Sequence, residues 1–216
     1  MPPPRIPHSV ARGSVREYQT QLKEKLSAVF PALPVEIEWA AMTDERALYS
    51  PRLDAAVGPF ATHNICIDEY DQLVRGFEPL LNNLFEVHRV NLRAHGQPDN
   101  HFDFDRLCTR NLNARCFLAI EIENAVSRKH LMGGAINAAA LGRIGLAVAW
   151  DQEKLRAFVR MRSYLLFLAE VGKNTFDPSN LLILTKEQVM EALDSFLNSS
   201  APTRRSRGSR RQAARP

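Results

Sequence analysis

A chain of 216 residues is long enough for one domain with its own core and short for two, and 45% hydrophobic with 24% charged residues is an ordinary globular composition. No apolar segment approaches the ~20 residues of a membrane helix, and four prolines in the first seven residues leave no room for the apolar centre of a signal peptide, so a cytoplasmic protein without a membrane partner is expected. Cys66, Cys108 and Cys116 are widely spaced with no C-x-x-C pair, which argues against a disulfide framework or zinc ribbon, and the formal charge of +4 is uneven along the chain.

Residues 1–13 carry prolines and arginines without apolar periodicity and are expected to be disordered. Ser14 can cap a helix with Glu17 in its first turn, along which Val15, Tyr18, Leu22, Leu26 and Val29 recur at near-helical spacing until Pro31. Val35-Glu36-Ile37-Glu38-Trp39 alternates apolar with acidic, the pattern of a strand with one solvated face, and a second strand is expected from Leu48 to Val57. From about 65 to 94 a helical stripe runs through Tyr70, Leu73, Phe77, Leu80, Leu84 and His88, with Pro79 marking a kink or the meeting of two helices. Residues 95–113 are turn-rich and read as a loop.

Phe117-Leu118-Ala119-Ile120-Glu121-Ile122-Glu123-Asn124 then forms a strand-like apolar run broken only by two carboxylates. A helix from Lys129 to Leu141, rich in Gly and Ala, leads to a continuous apolar strand, 144–150, typical of a buried parallel strand. A helix over 151–170, a short strand over 180–184 and a helix over 186–197 complete a single domain over residues 14–198. The order implies an α/β fold with a mixed sheet and a helical insertion at about 65–113, and the strand, helix, strand passage from 116 to 150 suits a right-handed crossover. Residues 199–216 read as a disordered tail, in which Arg204, Arg205, Arg207, Arg210, Arg211 and Arg215 are unopposed by any acid. Those six arginines leave −2 for the rest of the chain. Such a tail suits nucleic-acid phosphates, although arginine-rich ends also occur as plain solubilising segments.

The chemistry is expected on the strands. Alternate residues of a strand share a face, so Glu121 and Glu123 point the same way, and carboxylates on a largely apolar strand call for a cation or for solvent at a sheet edge. Asp54 also sits among apolar residues on an expected core strand. If the two strands are neighbours, three hard oxygen donors converge, a set suited to Mg2+ or Mn2+ rather than zinc. His63, His88, His95, His101 and His130 show no metal-ligand spacing, and His130 beside Lys129 is a candidate phosphate contact or an ordinary surface residue.

Pro51-x-x-Asp54 on one strand, Glu121-x-Glu123 on the next, and the following helix and strand resemble the PD-(D/E)xK nuclease superfamily, whose fold is restriction-endonuclease-like. The resemblance covers residues from about 14 to 150. It implies a metal-dependent endonuclease acting on DNA, with Asp54, Glu121 and Glu123 at the metal and Glu123 in the position that usually holds a lysine. Lys129 at the start of the next helix can supply a displaced cation. About 60 residues stand where the family commonly has a short hairpin, an insertion that offers substrate recognition or a homodimer surface. Two other readings stay open: an inactive nuclease-fold protein serving nucleic-acid binding or assembly, and a structural network pairing the glutamates with Arg115, Arg128 or Arg143.

Overall fold

The computed structural model describes residues 8–42, 50–61, 64–97, 103–124, 128–173 and 177–200. Helix α1 (His8–Val29) begins six residues before Ser14. Pro7, with no N–H and a bias against helix in the residue before it, immediately precedes the first helical residue. Nothing between His8 and Ser14 opposes propagation comparably, so residues 8–13, expected to be irregular, are helical instead. Tyr18, Leu22, Leu26 and Val29 are buried, as their spacing requires.

Strands β1 (Val35–Ala40), β2 (Arg52–Val57) and β3 (Cys116–Glu123) form an antiparallel meander. Strand β2 is shorter than expected, beginning at Arg52 after Pro51, and residues 43–49 lie outside the described ones. Strands β4 (Gly142–Ala149) and β5 (Leu181–Thr185) extend the sheet in parallel, giving the spatial order β1-β2-β3-β4-β5. Helix α5 (Arg128–Leu141) connects β3 to β4, α6 (Gln152–Glu170) connects β4 to β5, and α7 (Lys186–Ser200) follows. The architecture is therefore α/β, a five-stranded mixed sheet flanked by helices. Ile144, Leu146, Val148, Leu182 and Leu184 pack with α1 and α7, while Ala147, Ala149, Leu181 and Ile183 pack with α5 and α6. Both faces of β4 and β5 are thus covered, which is why their residues read as continuous apolar runs.

The insertion between β2 and β3 contains α2 (Ile67–Gly76), α3 (Glu78–Ala94) and α4 (Phe104–Thr109). Helices α2 and α3 meet at Phe77, and Pro79 lies in the first turn of α3, where its missing N–H costs no helical bond. The expected loop at 95–113 is corrected by α4, whose first turn is capped by Asp103 accepting the Arg106 N–H at 2.6 Å. Six residues are too few to show an apolar period. Helix α3 covers the far edge of the sheet: His88 Nδ1 accepts the Ile183 N–H at 3.0 Å, and Asn91 Nδ2 donates to the Ile183 carbonyl at 3.0 Å. Burial, with Arg162 nearby, pushes the His88 pKa down to about 3 and leaves the imidazole neutral, as an acceptor at Nδ1 must be.

Cys108 and Cys116 are buried free thiols and Cys66 is half-buried. Among the described residues, no helix is long and apolar enough to cross a membrane.

Candidate active site

Strands β2 and β3 are neighbours, and their ladder ends at Ala55 opposite Ile120. The next N–H of β3 directed at β2, that of Ile122, donates instead to Asp54 Oδ2 at 2.6 Å. A side-chain carboxylate has taken the place of a backbone carbonyl, and the sheet forks at this point. The β1–β2 register runs unshifted through the same level, from Ile37 opposite Ala55 to Trp39 opposite Leu53, but without a Glu38–Asp54 pair. Glu38 adopts φ 53°, a left-handed conformation that costs a non-glycine residue about 1–3 kcal/mol. Gln19 of α1, only 6% exposed, approaches both: its Nε2 donates to Asp54 Oδ1 at 3.0 Å and to Glu38 Oε1 at 3.2 Å.

Glu121 meets Asp54 across the fork. Its carboxyl interacts with that of Asp54 and with Asn137 of α5, which lines the same cavity. The small residue Gly134 brings α5 close, since even a methyl group there would lie 3.5 Å from the Glu121 side chain. Glu123, two residues on along the same strand face, lines the same open cavity of about 530 Å³, together with Arg52, His130 and Asn137. The three carboxylates expected from the sequence border one cavity.

Burial raises the Glu121 pKa well above the carboxylate range, and the adjacent Asp54 charge raises it further. Asp54 is also raised, first by burial and then by Glu38 and Glu123, while the Ile122 N–H opposes the shift. Two buried carboxyls in contact cannot both stay ionised without a counter-charge, so at neutral pH the cation-free pair holds a proton. A divalent cation would replace that proton, and the donor chemistry fits a hard one because it consists of carboxylate oxygens. Among the described residues, no group of three His, Cys, Asp or Glu side chains is arranged to hold one ion. Asp54 and Glu121 would therefore provide a two-carboxylate core, with water or substrate oxygens completing the sphere, as Mg2+ commonly requires.

The other expected residues fall in different places. Lys129 opens α5, but its side chain lies outside the described ones, as do His63, His101 and Arg204, Arg205, Arg207, Arg210, Arg211 and Arg215 of the tail. Glu17 and Glu24 of α1 are exposed; Gln19 is the residue of that helix bonded to Asp54. Arg143 is paired with Asp71 of α2, and Arg115 Nη1 donates to the Ala61 carbonyl at 3.3 Å. Arg143 thus has an acidic partner on the insertion, which corrects its expected pairing with the glutamates. Gln19, Glu38 and Asn137 were not anticipated as site residues. Asn137 alone had a visible signal, a polar residue between Ile136 and Ala138 in an otherwise small, apolar helix.

No protein-family model, curated protein or solved structure matches the chain. What the site can do follows from its own chemistry.

Proposed function

We propose that this protein is a metal-dependent phosphodiesterase, an endonuclease-like hydrolase acting on DNA, with Asp54 and Glu121 holding Mg2+ or Mn2+ and Glu123 beside them. The observation that carries this reading is the contact of the Asp54 and Glu121 carboxyls at the sheet fork, within a cavity open to a substrate. The resemblance to the PD-(D/E)xK superfamily supports it, with Asp54 on the middle strand of an antiparallel meander, the acid-x-acid pair on the next strand, and a helix leading to a parallel strand. On this reading the fold is restriction-endonuclease-like.

A cation held by Asp54 and Glu121 would supply an acidified water and neutralise charge developing on the phosphodiester. The chain's own residues do the rest. Asp54 is held in place by the Ile122 N–H and Gln19, so little ordering remains to be done on binding. Glu123, at the lysine's position, accepts a proton from the attacking water as its oxygen bonds to phosphorus. The phosphorus–oxygen bond to the leaving alcohol breaks, and that oxygen takes a proton from solvent. Arg52 and His130 at the cavity offer N–H donors to the phosphate, and the resemblance adds Lys129 as a displaced cation. The arginine tail raises affinity for the DNA backbone without reading sequence.

The test is cleavage of plasmid DNA in Mg2+ or Mn2+, with Asp54→Asn and Glu121→Gln as controls. Both substitutions are expected to abolish cleavage while the proteins stay folded, and normal cleavage by either would overturn the assignment. A second reading, a nuclease-fold protein that binds nucleic acid without cutting it, is favoured by one feature: glutamate stands where a lysine usually orients the water. DNA retention without cleavage or any metal-induced rise in melting temperature would select it.

A further inference from the structure

We infer that Gln19 and Asn137 are positioning residues of this site, one amide for each carboxylate, supplied by helices on opposite faces of the sheet. The inference rests on the reading of Asp54 and Glu121 as cation ligands. Helix α1 packs with the cluster of Leu118, Ile120 and Leu146, whereas α5 packs with that of Ala119, Ala147 and Ile183. Gln19 therefore reaches the fork from one layer and Asn137 from the other.

The arrangement at Gln19 leaves the amide one sensible orientation. Its Nε2 donates to Asp54 Oδ1 at 3.0 Å and to Glu38 Oε1 at 3.2 Å, so both amide hydrogens are directed at carboxylates. A flipped amide would aim its carbonyl oxygen at two acids. Because Ile122 N–H serves Oδ2, each Asp54 oxygen has its own donor. That fixes the carboxylate plane while leaving lone pairs for a ligand. Glu38 is the second acceptor: its backbone is left-handed, φ 53°, and its side chain, exposed like that of Glu36, receives the other amide hydrogen of Gln19. Asn137 stands beside Glu121 in the cavity, on the helix that Gly134 brings against the Glu121 side chain, and is the amide that interacts with that carboxyl. Hydrogen bonds behind ligating side chains orient them, and their loss typically weakens metal affinity or activity about 10–100-fold.

The experiment uses the full chain and Mn2+ alone as the probe, following melting temperature as Mn2+ is titrated into wild type, Gln19→Leu, Asn137→Leu and Asn91→Leu. Asn91 bonds to Ile183 and Gln188 at the far edge of the sheet, so its replacement reports a purely structural loss. The expected result is a Mn2+ half-saturation about 10–100-fold higher in the Gln19 and Asn137 variants and unchanged in the Asn91 variant, although all three melt lower without metal. Half-saturation values matching wild type would overturn the inference and leave the cation reading standing. A wild type that Mn2+ does not stabilise would sink the cation reading and the inference with it. Gln19→Met and Asn137→Ala repeat the comparison if a leucine variant does not fold.

Discussion

Asp54 and Glu121 are placed where carboxylates are costly, and the cost has a definite pH signature. A carboxyl whose folded-state pKa is raised binds its proton more tightly when folded than unfolded. Its contribution is fully present below the ordinary carboxylate value of about 4.3 and is lost as pH rises through the folded value. Both carboxyls are shifted up, mainly by burial, so without metal the stability of the protein should fall as pH rises above about 4.3. The slope is at most about 1.4 kcal/mol per pH unit for each proton released. Glu121→Gln removes the titrating group at the centre of the pair. It should equal wild type in acid and become progressively more stable toward alkaline pH, as urea unfolding in chelator across the pH range would reveal. Parallel curves for the two proteins would mean that the Asp54–Glu121 pair carries no such penalty. Added Mn2+ should close the gap by stabilising wild type alone, because binding to the native state raises stability by mass action.

The elements that hold the site also have separable tasks. Helix α5 touches β4 at Gly145, where an added Cβ would stand 2.8 Å from the Ala138 carbonyl group, closer than real packing permits. Gly145→Val should push α5 off the sheet and cost about 1–3 kcal/mol in denaturant unfolding, the usual penalty of overpacking. Because Asn137 immediately precedes Ala138, the same substitution should weaken the Mn2+ response, and a destabilised variant with an unchanged Mn2+ titration would show that α5 does not control the ligands. Helix α3 has a different role, since His88 and Asn91 satisfy the outer N–H and C=O of Ile183 and close an edge open to further strand pairing. Asn91→Leu should cost about 1–3 kcal/mol through a buried carbonyl left without its donor. Stability within a few tenths of wild type would indicate that water replaces the side chain. The insertion is thereby built into the sheet, whatever its exposed surfaces bind.

Over the whole molecule, charge and fold are distributed unequally: the tail's six arginines exceed the net charge of +4, and the remaining chain is slightly acidic. Deleting residues 203–216 should weaken DNA binding and flatten its salt dependence, by about 0.9 in the log–log slope for each phosphate that the tail neutralises, measured by fluorescence anisotropy across a salt series. An unchanged slope would assign phosphate binding to the domain itself. The alternating or continuous apolar patterns of β1, β3, β4 and β5, the apolar stripes of the long helices and the three carboxylates were legible because each reflects a local period or a charge set in an apolar run. Helix α4 was not, being too short for a period, and neither was the start of α1, where Ser14 offered a stronger signal than the helix used. By itself the sequence determined that an α/β protein would carry Asp54, Glu121 and Glu123 on strands, since burial and side-chain alternation are written in adjacent residues. Only the tertiary structure decided that β2 and β3 fork, that Glu38 takes a left-handed backbone, and that Gln19 and Asn137 stand against the carboxylates. Those features depend on contacts between distant segments, Gln19 to Asp54 across 35 residues and Asp54 to Ile122 across 68, for which no local pattern exists.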